Sequence, residues 1–439
     1  MNCYNIGMTK VITYGTYDLL HHGHVRLLER AKALGDYLIV GVTADDFDKA
    51  RGKLNVQQSL MERVEAVRAL GIADEIIVEE YEGQKIDDIR RYGIDIFTVG
   101  SDWVGRFDYL KEYCKVVYLE RTKGVSSSEI RKRERTLRLG TVGENGALRK
   151  YVTESRFVNG LEISGVFSLD KRIRTDVKKE GFSLVSDYVT LLKKSEAVYI
   201  ASHPALHEKQ IREALNAGRH VLCESPIALS KRSCETLFRL ARKKNLVLMD
   251  AIKTAYSTAY NRMILMVKDG RIGDIVSVDS TCTSLAAGKA IANPWAWNSS
   301  CAWGPTALLP ILQILGPNYS DARKTSFFIR KGFDSFTRFD LFYKRAVATA
   351  KVGKGVKSEG ELVISGTKGY IYVPAPWWKM DYFEVRYENA AENRRCFYPL
   401  EGEGIRAELV AFARSVTSGE KIVDRVGDCS QAICGLMHA

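Results

Sequence analysis

At 439 residues the chain is too long for one compact core, and 46% hydrophobic with 27% charged residues excludes a fibrous, disordered or membrane-embedded protein. The excess of 65 basic over 53 acidic residues, a net charge of +12, favours an anionic ligand, be it nucleic acid, nucleotide or anionic metabolite. Nine cysteines without a CxxC pair form neither a zinc signature nor a disulfide framework. No apolar signal core opens the chain, and no run approaches the ~18 apolar residues of a membrane helix. The expectation is a reduced, cytoplasmic protein that handles negative charge away from membranes.

From Lys10 to Leu119 apolar strands alternate with amphipathic helices. KVITYGTY reads as a strand, HVRLLERAKALG as a helix, YLIVGVT as a strand and LMERVEAVRALG as a helix. ADEIIVEE, IDIFTVG and CKVVYLE follow as strands, with the helix KIDDIRRYG among them. Continuous apolar strands between helices predict a buried parallel sheet, hence a Rossmann-like nucleotide-binding domain over residues 9–131. The basic run RKRERTLR, Arg131 to Arg138, reads as a solvated helix end, because no aromatic platform interleaves its charges as nucleic acid would require.

A second α/β pattern opens with RLGTVGENG and runs through EAVYIAS, RHVLCESP and KNLVLMDA. It predicts a second Rossmann-type domain over residues 137–255. Beyond it, strands rich in Thr, Ser and Tyr surround one helix at TALLPILQILG. That mixture predicts an α+β domain with a largely antiparallel sheet over residues 256–439.

The stretch TYGTYDLLHHGH, Thr13 to His24, crowds polar groups onto one strand-to-helix crossing. Backbone N–H groups and the helix dipole favour an anion there, and Gly23 lets a ligand approach the backbone. His21 and His24, three apart, can point the same way. A zinc site and plain structural histidines are the competing readings. Zinc would require further ligands at suitable spacing, and no Cys pair or HExxH helix supplies them.

HxGH in this setting resembles the nucleotidyltransferases related to class I aminoacyl-tRNA synthetases. GSDWVGRFDYL (Gly100 to Leu110) and ERTKGVSSSEI (Glu120 to Ile130) look like the glycerol-3-phosphate cytidylyltransferase family in particular. The resemblance implies an enzyme that transfers CMP from CTP, brought in with Mg²⁺, to glycerol 3-phosphate or a related polyol phosphate, releasing pyrophosphate. It implies catalytic roles for His21, His24, Lys53 and Arg121. The nucleotide site would also include Thr16, Tyr17, Asp18, His22, Gly23, Asp102, Thr122, Ser126, Ser127 and Ser128. Arg51 and Lys85 would hold the acceptor phosphate. One position departs: Gly71 stands where the family usually carries Arg, and Arg68, one helical turn earlier, is the candidate substitute. Arg63 matches a basic position of the same helix.

The second half resembles the glucose–fructose oxidoreductase/inositol dehydrogenase family, in RLGTVGENGALRKYV, HPALHEKQIREALNAGRHVLCESP and SGTKGYIYVPAPWWKMDYFEV. Three departures stand out. The GxG turn reads Gly143-Glu144-Asn145, and the Glu-Lys-Pro segment reads Glu224-Ser225-Pro226. The later acid and its partner are Pro310 and Ile314. These losses imply an inactive module that does not use NAD(P), with His203 and His207 the nearby groups for a relocated acid. The alternative is a bifunctional enzyme whose second half is an NAD(P)-dependent reductase supplying the polyol phosphate. The family resemblance further implies a teichoic-acid or capsule precursor as product and a homo-oligomer built on the sheet, with no nucleic-acid partner.

Overall fold

The computed structural model describes residues 8–44, 58, 60–81, 83–120, 136–158, 160–285, 296–398, 400, 402–417 and 426–438. The chain divides into two units, residues 1–135 and 136–439.

In the first unit the strands are β1 (Lys10–Gly15), β2 (Tyr37–Thr43), β3 (Glu75–Glu79), β4 (Ile96–Gly100) and β5 (Lys115–Leu119). They form a parallel sheet in the order β3-β2-β1-β4-β5. Alternation along the strands feeds two cores. Val11, Leu38, Val40 and Val42 pack against Leu28 and Ala31 of α1 (His22–Lys32) and Val64 and Val67 of α2 (Leu60–Ala69). On the opposite face Ile12, Ile39 and Phe97 meet Ile89 of α3 (Gln84–Tyr92). Sheet order reverses beside β1, so the crevice at the carboxyl ends of β1 and β4 is where such a sheet takes ligands.

The second unit opens on β6 (Leu137–Gly143), followed by α4 (Ala147–Glu154), β7 (Leu161–Phe167), α5 (Lys171–Lys179) and α6 (Tyr188–Lys194). Then come β8 (Ala197–Ala201), α7 (Pro204–Asn216), β9 (His220–Glu224), α8 (Lys231–Lys243) and β10 (Leu248–Ala251). The five strands are parallel in the order β10-β9-β8-β6-β7. Arg138 corrects the reading of the basic run: Leu137 and Leu139 point into the core, so the run's last residues start a strand.

After α9 (Thr258–Lys268) comes the mixed sheet, with α10 (Ser299–Leu315) inserted after its first strand. Its strands are β11 (Ile275–Leu285), β12 (Asp321–Arg330), β13 (Phe333–Phe342), β14 (Val347–Gly353) and the short β15 (Gly355–Val356). β16 (Leu362–Gly366), β17 (Tyr370–Val373), β18 (Tyr382–Arg386) and β19 (Arg394–Phe397) complete it. Every join is antiparallel except β11 with β14. Helix α10 packs on β11, β13 and β14, covering Val278, Phe339, Ala350 and Val352. The unit is finished by α11 (Ile405–Thr417) and α12 (Gly427–His438), the latter packed on both α8 and α10. No helix among the described residues is long and apolar enough to cross a membrane.

Candidate functional site

Strand β1 delivers the chain to the first crevice, and the backbone between β1 and α1 is unusual. Tyr17 and Leu19 have φ of +54° and +47°, a left-handed conformation that side chains rarely adopt. The Tyr17 ring folds back over Gly15, where an added Cβ would sit 2.9 Å from it. It also meets the His24 ring in a T-shaped contact, with ring centroids 5.6 Å apart. His21 is the N-cap of α1, its Nδ1 accepting the Gly23 N–H at 3.1 Å, which leaves the proton of the neutral ring on Nε2. The His21 and His24 rings stack with centroids 3.9 Å apart and planes 14° from parallel. The spacing therefore does bring these two imidazoles together, while His22 is exposed.

The crossing is braced from behind. Asp18 is buried and accepts the Gln58 N–H at 3.0 Å, while the Leu19 N–H donates to Gln58 Oε1 at 2.8 Å. Arg63, fully buried on α2, donates through Nη1 to the carbonyls of Thr16 (2.6 Å) and Thr43 (2.9 Å) and through Nε to that of Gln58 (3.2 Å). Its side chain ties β2 and α2 to the histidine stretch. Thr16 is buried behind this guanidinium, and Asp102 sits exposed on the turn that follows β4.

Lys85 is only 5% exposed on α3. It pairs with Glu79 and lies over the Tyr14 ring at 4.5 Å. Tyr14 in turn donates to Asp88 at 2.8 Å. Arg68 is exposed and paired with Glu65 one turn back along α2. Gly71 has φ +64°, with open space where its Cβ would be, and its N–H bonds the Arg68 carbonyl at 3.1 Å. It terminates α2, a role for which glycine is favoured. Arg51, Lys53, Arg121, Thr122, Ser126, Ser127 and Ser128 lie outside the described residues. No group of three metal-ligating side chains occurs among the described residues.

A cytidylyltransferase-like family model matches residues 12–133. The glycerol-3-phosphate cytidylyltransferase of Bacillus spizizenii is 50% identical over 125 residues, 28% of this chain and 96% of that enzyme. The chain belongs to the cytidylyltransferase-like family. It is a nucleotidyltransferase, and the family's fold carries the stacked histidines at its switch point.

This family member has a second family's domain joined to it. A model described as oxidoreductase family, NAD-binding Rossmann fold, matches residues 137–251. A dTDP-3,4-didehydro-2,6-dideoxy-alpha-D-glucose 3-reductase of Actinomadura kijaniata is 32% identical over 114 residues, 26% of this chain and 34% of that protein. A 3-ketoreductase from the same organism, solved with NADP and TDP-benzene, superposes with a TM-score of 0.61 at 19% identity. It covers 69% of this chain and 96% of that one, which establishes the fold.

The second unit's own crevice keeps part of a dinucleotide turn. Gly143, at φ +144°, lets β6 approach β8 so closely that a Cβ would lie 2.2 Å from the Ala201 carbonyl carbon. The next two residues depart from a Gly-x-Gly turn. The Asn145 N–H is spent on the Ala201 carbonyl (3.2 Å), and its Oδ1 caps the Ala147 N–H at 3.0 Å. Glu144 brings a carboxylate whose Oε2 is buried without a hydrogen-bond partner among the described residues, and burial raises its pKa. Pro310 and Ile314 lie within α10 and offer no proton.

Sequence reasoning missed a buried chain of acids and phenols. Tyr199 donates to Glu224 and Tyr151 to Glu408, and the two tyrosine rings stack at 4.0 Å. Burial pushes Glu224 up to about 7, against the Tyr199 hydrogen bond and the Lys253 charge, and it raises Glu408 as well. The residues come from α4, β8, β9 and α11, so no local motif announces them.

Proposed function

We propose that the first unit transfers CMP from Mg²⁺-bound CTP to glycerol 3-phosphate, giving CDP-glycerol and pyrophosphate. The observation that carries this reading is the stacked His21–His24 pair at the carboxyl end of β1, in a unit half identical to a glycerol-3-phosphate cytidylyltransferase over nearly all of that enzyme's length. An oxygen of the acceptor phosphate forms a bond to the α-phosphorus as the bond from that phosphorus to the leaving pyrophosphate breaks. No protein nucleophile is required, so catalysis consists of positioning and of stabilising charge on the phosphate oxygens. In this reading His21 and His24 donate to the triphosphate. Lys53, Arg121, Thr122, Ser126, Ser127 and Ser128 complete the cradle, and Arg51 and Lys85 hold the acceptor phosphate. Lys85 reaches that role by exchanging Glu79 for the incoming phosphate.

The second unit is read as a module without dinucleotide-dependent hydride transfer. Glu144, Asn145 and the replacements Ser225, Pro310 and Ile314 support that reading. Pyrophosphate release from CTP and Mg²⁺ with a panel of polyol phosphates tests the first statement: release with glycerol 3-phosphate, abolished in His24→Ala, is expected. Release with a ketose phosphate only when NADPH is added would overturn the second.

A further inference from the structure

In the second unit β6 lies between β7 and β8, so its crevice opens at the carboxyl ends of β6 and β8, with the end of β9 alongside. Two serine hydroxyls there have no visible purpose. Ser202 follows β8 and Ser225 follows β9; they are 1% and 5% exposed, and neither Oγ has a hydrogen-bond partner among the described residues. Their placement is fixed rather than loose. Fully buried His207 bridges the two segments, with Nδ1 2.8 Å from the Pro226 carbonyl oxygen and Nε2 2.9 Å from that of Ser202.

His203, the N-cap of α7, follows Ser202 directly and is part-buried. Its Nδ1 accepts the Ala205 N–H at 3.4 Å, so the neutral ring keeps its proton on Nε2 as a donor. The helix α10 side comes against these segments: the Trp297 ring meets the His207 ring edge to face at 5.8 Å, and Ser299, two residues further on, holds the backbone of a lysine. Lys354, on the turn between β14 and β15, is anchored by its own N–H, which donates to the Ser335 carbonyl (3.1 Å) and to Ser299 Oγ (2.9 Å). Its ammonium group is half-buried and has no carboxylate or carbonyl partner among the described residues. It lies near enough to His203 that, after burial, its charge is the second cause of that imidazole's lowered pKa. Burial likewise lowers the pKa of Lys354 itself.

A half-buried ammonium and two buried hydroxyls left without partners each cost free energy. One ligand with several anionic oxygens satisfies all of them at once. We propose that this crevice binds the phosphate group of a small phosphate monoester through the Lys354 ammonium, the His203 Nε2–H and the hydroxyls of Ser202 and Ser225. A phosphate suits four donors better than a carboxylate because it offers three terminal oxygens, whereas a carboxylate offers two in one plane. The site stands where the turn at Glu144 and Asn145 has ceased to suit a dinucleotide, and it uses a lysine from the sheet where the Rossmann half carries Ser225.

The test is hydrogen–deuterium exchange on the full chain with and without glycerol 3-phosphate, with lactate as the carboxylate probe. Segments 199–206, 222–228 and 352–358 report on this crevice separately from the first unit. Glycerol 3-phosphate should protect all three segments. Lys354→Met should weaken that binding by about tenfold or more, and Lys354→Arg should hold it within about threefold. Pyrophosphate release by the first unit should be the same in Lys354→Met as in the unaltered chain. Absence of protection in these segments, or equal protection in Lys354→Met, overturns the site. Equal protection by lactate overturns the assignment to phosphate.

Discussion

His21 does two jobs that substitution can separate. It caps α1 through Nδ1, and in the transferase reading it donates through Nε2. His21→Ala should lower turnover and also cost about 1 kcal/mol of stability, the usual loss at an N-cap. His21→Asn should recover the stability, because Asn caps well, and not the turnover. His24→Ala should lower turnover by about a hundredfold or more, as removal of a donor to developing phosphate charge does. A rate in His21→Asn equal to that of the unaltered chain would remove His21 from the chemistry. Arg63 belongs with the scaffold instead. Arg63→Met should destabilise the first unit by about 2–4 kcal/mol, since it strands the buried carbonyls of Thr16 and Thr43 and the part-buried one of Gln58, read as a lowered calorimetric transition. The sequence made the stacked histidines legible because His-x-Gly-His at a strand-to-helix crossing leaves few geometries. It did not distinguish Arg63 as a brace, because backbone carbonyls such as those it bonds carry no mark in a sequence.

At the end of helix α2 the family pattern and the backbone give Gly71 two different readings. Against the family pattern Gly71 reads as a missing arginine, yet the backbone at φ +64° is the left-handed turn that closes α2. Gly71→Arg should leave CTP turnover unimproved and lower stability by about 1 kcal/mol, the usual cost of a side chain at positive φ. A rise in turnover would return the position to the active site. Strands and helices of both Rossmann units were legible because long apolar runs between amphipathic helices have one economical arrangement. The start of β6 was not, since Arg138 extends a basic run while its neighbours Leu137 and Leu139 alternate into the core.

Over the whole second unit, two carboxyls pull stability in opposite directions with pH. Burial works against the Glu403 charge, but the ammonium groups of Lys150, Lys253 and Lys379, at 2.6–2.9 Å, outweigh it and hold its pKa far below the ordinary 4.5. Its contribution is therefore present above pH 4.5 and fades as acid protonates it. Glu224 is the reverse case. Its pKa is raised from 4.5 to about 7, so its contribution is complete below 4.5 and is lost as pH rises toward 7. The melting temperature of this unit should peak on the mildly acidic side. Glu224→Gln should flatten the neutral limb and Glu403→Gln the acid limb; unchanged limbs would contradict both assignments. Neither carboxyl was legible as special, because their partners arrive from segments remote in the chain.

The same remoteness bears on how the molecule is made. Helix α12 packs on α8 and α10, so the second Rossmann sheet, whose strands are complete by Ala251, keeps an uncovered helix until residues 427–438 leave the ribosome. The first unit has all five of its strands by Leu119. During synthesis the strands of the transferase unit can pair early, while the second unit's apolar surface stays uncovered for longer.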